Sequence, residues 1–173
     1  MKLAIDVHFD NSNAAQVAAV AFEDWAAAEP TRSFVSRIAQ VEKAARGELD
    51  LRALPCIMQL LREHGLAAEM IELILINGLV HLDAQETPGL GLHLHHALGG
   101  RCAVMGVSKT APPNTPAQFE VQREEETRPL IVSCIGIELG AAKARLRAMH
   151  GRKRVPTLLK LVARLAKNSP LEL

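Results

Sequence analysis

The feature that most constrains this chain is the run Met70-Ile71-Glu72-Leu73-Ile74-Leu75-Ile76-Asn77-Gly78, continuing into Leu79-Val80-His81-Leu82-Asp83. Leucine and β-branched residues closed by Asn-Gly predict a strand over Met70 to Asn77 that is buried on both faces. Such strands lie in the middle of α/β sheets, and ligands gather beyond their carboxyl ends. Asn77, His81 and Asp83 therefore fall where a site is expected. With 49% apolar residues in 173, one domain over 1–173 can bury a real core. The longest apolar runs fall short of the roughly 20 residues that span a bilayer, so no membrane partner is expected. A carboxylate as early as Asp6 argues against a signal peptide. Cys56, Cys102 and Cys134 are far apart, each in an apolar stretch, and read as reduced core residues; the expected location is cytoplasmic.

The flanking pattern supplies the rest of the sheet. Lys2 to Phe9 alternates, with Leu3, Ile5, Val7 and Phe9 on one side and Asp6 and His8 on the other. Two more strands are expected, Gln16 to Glu23 and Ser33 to Gln40. The short turns between the three make their pairing antiparallel. The alanine-rich middle segment has helix propensity, which competes with that reading. Leu51, Leu54, Ile57, Met58 and Leu61 form a helical stripe ending at Gly65. A short helix near Leu92 to Leu98, a strand over Arg101 to Ser108, and strands at Phe119 to Gln122 and Pro129 to Ile137 follow. The last two flank a charged turn at Glu124-Glu125-Glu126, and helices over Leu139 to His150 and Pro156 to Lys167 end the order. An α/β fold follows, with an antiparallel three-strand meander beside parallel strands, covered by helices.

Five segments, taken in order, resemble the endonuclease V family. Asp6-Val7-His8-Phe9 looks like its metal-binding first strand. Leu51-Arg52-Ala53-Leu54-Pro55 looks like the opening of its Phe-Arg-Glu-x-Pro helix. Leu75-Ile76-Asn77-Gly78 stands where the family has Val-Asp-Gly. Met105-Gly106-Val107-Ser108-Lys109 is similar to Ile-Gly-Val-Ala-Lys, whose Lys reaches the active site. Arg128-Pro129-Leu130-Ile131-Val132-Ser133-Cys134-Ile135-Gly136 is similar to Asn-Pro-Leu-Phe-Ile-Ser-x-Gly-His-Arg. The resemblance implies a ribonuclease-H-like mixed sheet and an ancestral reaction on inosine-containing strands.

The departures fall on the chemistry. In the family, carboxylates hold divalent metal that activates water. Its helix Glu corresponds to Ala53 and its strand-end Asp to Asn77. Its late His is lost at Gly136-Ile137-Glu138, the Asp that follows corresponds to a position near Ala142, and the Tyr-Ile-Pro-Gly wedge corresponds to Ala44-Ala45-Arg46-Gly47. Asp6 and Lys109 survive as the catalytic pair that the resemblance implies; a salt-bridged remnant is the plain alternative. Asp6 with Asn77 would hold Mg2+ or Mn2+ only weakly. A rebuilt centre would draw on Asp6, His81 and Asp83, a set better suited to zinc, manganese or iron. His93, His95 and His96 offer one helical i, i+3 pair and read as ordinary polar positions.

The net charge of +1 hides an asymmetry: 11 Lys/Arg against 18 Asp/Glu up to Glu138, then 9 against 1. A solvated basic end is the plain reading; a phosphate-facing surface built from Lys143, Arg147, Arg152, Lys153 and Arg154 is the sharper one. Aromatics are scarce, with no Tyr, four Phe and a single Trp, Trp25, so base-stacking platforms are not expected. The leading expectation is thus a catalytically impaired endonuclease V-like domain that binds nucleic acid or a protein partner. The alternatives are an active metal-dependent endonuclease with a rearranged centre and a homo-oligomeric structural protein.

Overall fold

The computed structural model describes residues 1–42, 51–123 and 127–168. The wedge counterpart Ala44–Gly47 and the turn Glu124–Glu126 lie outside the described residues. Strand β1 (Lys2–Phe9) is the axis of a seven-stranded sheet. It pairs antiparallel with β2 (Ala15–Phe22), which pairs antiparallel with β3 (Arg32–Ile38). On its other side β1 runs parallel to β4 (Leu73–Asn77), and β4 runs parallel to β5 (Ala103–Ser108). Antiparallel β7 (Leu130–Ile135) and the two-residue β6 (Glu120–Val121) complete the order β3-β2-β1-β4-β5-β7-β6. This is the mixed sheet expected, a meander beside parallel strands.

Both faces are covered. Helices α1 (Ala53–Glu63) and α2 (Leu90–Ala97) pack Ile57, Leu60 and Leu94 onto Leu3, Ile5, Val17, Ile74 and Ile76. Helices α3 (Leu139–Ala148) and α4 (Thr157–Lys167) pack Leu146, Leu158 and Val162 onto Ala4, Val20, Leu75 and Met105. Every residue of β2 is buried, including its four alanines. Small side chains suit a strand covered on both faces, and that burial overrides their helix propensity.

The central strand is shorter than its apolar run. Ala68–Met70 form a 3-10 turn with Met70 exposed. Pairing with β1 starts at Lys2 opposite Leu73, and Glu72 N–H bonds the Met1 carbonyl at 2.8 Å just before it. From Leu73 to Ile76 the strand is buried on both faces, as its composition requires.

Three devices fix the turn beyond β4. Gly106 on β5 lies so close beneath it that an added Cβ would sit 2.1 Å from the Gly78 carbonyl oxygen. The Gly78 N–H bonds the Val107 carbonyl at 3.0 Å. The buried Ser133 hydroxyl on β7 accepts from the Val80 and His81 N–H groups at 3.0 and 2.9 Å and donates to the His81 carbonyl. At the β6 edge of the sheet, buried Arg123 follows β6 and bonds the carbonyls of Leu146, Met149, Gly151 and Lys153. It closes the C-terminal end of α3, where carbonyls lack helical partners.

Candidate functional site

The register places three polar residues at neighbouring strand ends. Ile5 pairs with Ile76 and Asn77 with Val107, so Asp6 lies level with Asn77 where β4 ends, and Lys109 lies two residues further on, just past the end of β5. Alternation turns all three toward the α4 face, the side on which Ala4, Leu75 and Val107 are buried. One Asp6 carboxylate oxygen accepts the Val7 N–H at 2.8 Å and the Asn77 amide at 3.4 Å. Burial pushes the Asp6 carboxyl above its ordinary value; the Val7 and Asn77 hydrogen bonds and the nearby Lys167 and Lys109 charges oppose the shift without cancelling it.

These residues border a cavity of about 400 Å3 under α4. Its polar lining is Asp6, Asn77, Lys109, Lys160, Arg164 and Lys167, against an apolar wall that includes Val107, Leu130, Val155 and Leu159. On the opposite side of the same strand ends, Asp6 and Asn77 meet Ala53, Phe9 and Leu90 around a cavity of about 170 Å3. The Arg52 guanidinium sits 4.4 Å from the Phe9 ring centre nearby. Positions 6, 53 and 77 thus border one cavity.

The structure leaves the other candidates elsewhere. His81 and Asp83 do not line either cavity. The His81 backbone is held by Ser133 and bridged to Pro88. The Asp83 carboxylate is spent on its own loop, accepting the Thr87 hydroxyl at 2.7 Å and the Thr87 and Gln85 N–H groups at 3.1 and 3.0 Å, and these bonds hold it below its ordinary value. His95 bonds the Cys102 carbonyl. Ala142 lies on the buried face of α3, and the helix over the cavity is α4, which carries no acidic residue.

Of the five basic residues singled out in sequence, none lines the cavity. Lys143 donates to the Gln118 carbonyl at 2.8 Å. The Arg154 guanidinium is spent on the carbonyls of Lys109, Arg128 and Pro129. Arg147, Arg152 and Lys153 are exposed. The cations that do face the strand ends, Lys160, Arg164 and Lys167, sequence reasoning left unassigned. Their i, i+4, i+7 spacing puts them on one helix face, which was the available signal.

No family model matches the chain, and no curated protein matches it. Solved structures do. Human endonuclease V superposes with a TM-score of 0.69 at 19% identity, over 96% of this chain and 82% of that one. The fold is that of endonuclease V. The endonuclease V of Ciona intestinalis, in complex with a 23mer DNA containing an inosine followed by a ribo-adenosine, gives 0.73 at 12% identity over 96% of this chain and 83% of that one. A protein of unknown function from Archaeoglobus fulgidus gives 0.57 at 14% over 95% and 94%. At these identities the likeness is one of fold, and function rests on the residues that this endonuclease V fold presents.

The divalent metal implied by the resemblance does not fit those residues. Among the described residues no three His, Cys, Asp or Glu side chains converge to hold a metal ion. Among the described residues that line the cavity Asp6 is the single carboxylate, its neighbour Asn77 offers no charge, and Lys109, Lys160, Arg164 and Lys167 surround the space with positive charge. A dication placed there would meet one attractive partner and four repulsive ones.

Proposed function

We propose that this is an endonuclease V-like protein that binds nucleic acid and has lost efficient metal-dependent cleavage. The observation that carries the reading is that, among the described residues, Asp6 is the one carboxylate lining the cavity, against four cations. Phosphodiester hydrolysis in this setting needs metal to generate hydroxide and to steady the leaving oxygen, and magnesium needs carboxylates to be held. Asp6 holds magnesium or manganese weakly, and among the described residues no neighbour compensates. What the residues do well is attract phosphate: clustered cations release counterions from nucleic acid when they bind. Arg147, Arg152 and Lys153, which do not line the cavity, are also exposed and add positive charge to the surface. The Ciona intestinalis complex supports nucleic acid as the ligand class. A rearranged nuclease centre is the weaker reading, because His81 and Asp83 do not join Asp6 in the cavity.

The test offers inosine-containing and plain DNA and RNA, single- and double-stranded, with magnesium, manganese or EDTA. The expected result is binding that persists in EDTA and substrates that stay uncut. Turnover with either metal, abolished by Asp6→Ala, overturns the proposal.

A further inference from the structure

Four cations face the cavity under α4 and one carboxylate opposes them, which leaves three positive charges uncompensated. Among the described residues, no hydrogen bond or ion pair engages the side chains of Lys109, Lys160, Arg164 or Lys167. All four are exposed and so reachable from solvent. Lys160, Arg164 and Lys167 rise along one face of α4 over about 10 Å, from seven residues at roughly 1.5 Å each. Lys109 meets them from the end of β5. The other half of the lining is apolar, from Val107, Leu130, Val155 and Leu159. A space of about 400 Å3 with a cationic rim and an apolar wall matches a ligand that is anionic at one end and flat and apolar at the other.

We infer that this cavity is a metal-independent phosphate site, in which Lys109, Lys160, Arg164 and Lys167 take the phosphate of one nucleotide unit and the apolar wall takes its base. The inference rests on the reading of this end of the molecule as the nucleic-acid-binding end. The side-chain cations supply the positive charge that bound metal supplies where carboxylates gather. Arg164 adds a planar fork that grips two phosphate oxygens at once. Asp6 opposes the ligand: its negative charge sits on the cavity floor, so removing that charge strengthens binding.

The experiment titrates inorganic phosphate, a nucleoside 5′-monophosphate and an unphosphorylated single-stranded oligonucleotide into the full chain in EDTA. Calorimetry reads the first two and fluorescence anisotropy the third. The proteins are wild type, the triple variant Lys160→Gln/Arg164→Gln/Lys167→Gln, a charge-matched triple Arg32→Gln/Arg37→Gln/Arg62→Gln away from the cavity, and Asp6→Asn. At least one probe is expected to bind the wild type, at least tenfold more weakly to the α4 triple, unchanged to the control triple, and severalfold more tightly to Asp6→Asn. That gain cannot come from misfolding. Binding of the oligonucleotide alone assigns the site to an internal phosphodiester; binding of the monophosphate assigns it to a phosphate monoester. No binding by any probe, equal loss in the two triples, or no gain in Asp6→Asn overturns the inference. Oligonucleotide binding that ignores the α4 triple sinks this site but leaves the proposed function standing. Metal-dependent cleavage by a protein whose α4 triple still loses phosphate does the reverse.

Discussion

Replacing Asn77 by aspartate reverses the sign of one contact, and the structure says by how much. The Asn77 amide donates to Asp6 across 3.4 Å. Two carboxylate oxygens at that distance repel by about 1 kcal/mol in a water-like surround and about 5 kcal/mol at an effective dielectric constant of 20. Asn77 is exposed and shares its cavity with Lys109, Lys160, Arg164 and Lys167, both of which favour the lower end, and uptake of a shared proton relieves part of the rest. A net cost of about 1–2 kcal/mol lowers the melting temperature by roughly 3–6 °C for a chain of this size. Magnesium should then matter for the first time. If the pair binds it with a dissociation constant of about 1 mM, about 10 mM metal returns about 1.4 kcal/mol, or roughly 4 °C. Adding Ala53→Glu, from the other side of the same strand ends, should enlarge the magnesium response again. Thermal melts of wild type and both variants in EDTA and in magnesium read all of this. A wild-type melt for Asn77→Asp in EDTA, with no response to magnesium, would show that the two side chains do not face each other, and the reasoning would fail.

Asp6→Asn should be more stable than wild type near neutral pH. Burial raises the Asp6 carboxyl, so its stabilising contribution, full below the ordinary value of 3.8, is lost as pH rises through the folded value; the gap between the two proteins should close as pH falls, as urea titrations across pH will show. Arg123→Ala strips four carbonyls of their donor in a buried place, and a loss of about 3 kcal/mol or more in urea midpoint stability is expected. Arg123→Lys should not restore it, since one ammonium lacks the five-donor fork. Gly106→Ala should destabilise by about 1–3 kcal/mol because backbone, not a side-chain tip, blocks the added methyl. The Cys134 thiol, pushed up to about 11 by burial, should resist alkylation at pH 8 in the folded protein and react once unfolded in urea.

Much of the fold can be read in the chain because its strands carry their own evidence. Leu73 to Ile76 is apolar on both faces, and the alternation of Lys2 to Phe9 already turned Asp6 away from Leu3 and Ile5. Strand order placed Asp6, Asn77 and Lys109 together, and periodicity alone implies their common edge. What the sequence withheld was tertiary. Met70 belongs to the same apolar run as Leu73, and only pairing with β1 decides that the strand starts three residues later. Arg154 looks like any other cation in a basic loop until three backbone carbonyls are found around it. Lys160, Arg164 and Lys167 form an ordinary solvated stripe on paper. That the stripe overhangs the end of β1 depends on how α4 crosses the sheet, which no local pattern records.

That crossing also sets an order of events during synthesis. The sheet face covered by α4 includes residues from β1 and β2, among them Ala4, Ala18, Val20 and Phe22, which leave the ribosome well before α4 does. Their cover, Leu158, Val162 and Ala166, is made more than a hundred residues later, and Gln16 on β2 latches it in place by donating to the Leu165 carbonyl at 2.8 Å. At about 5–20 residues per second the nascent chain carries this bare apolar face for many seconds, open to chaperones and to aggregation alike. Ligand can arrive only after that interval, because the helix that closes the core is also the helix that brings the cations.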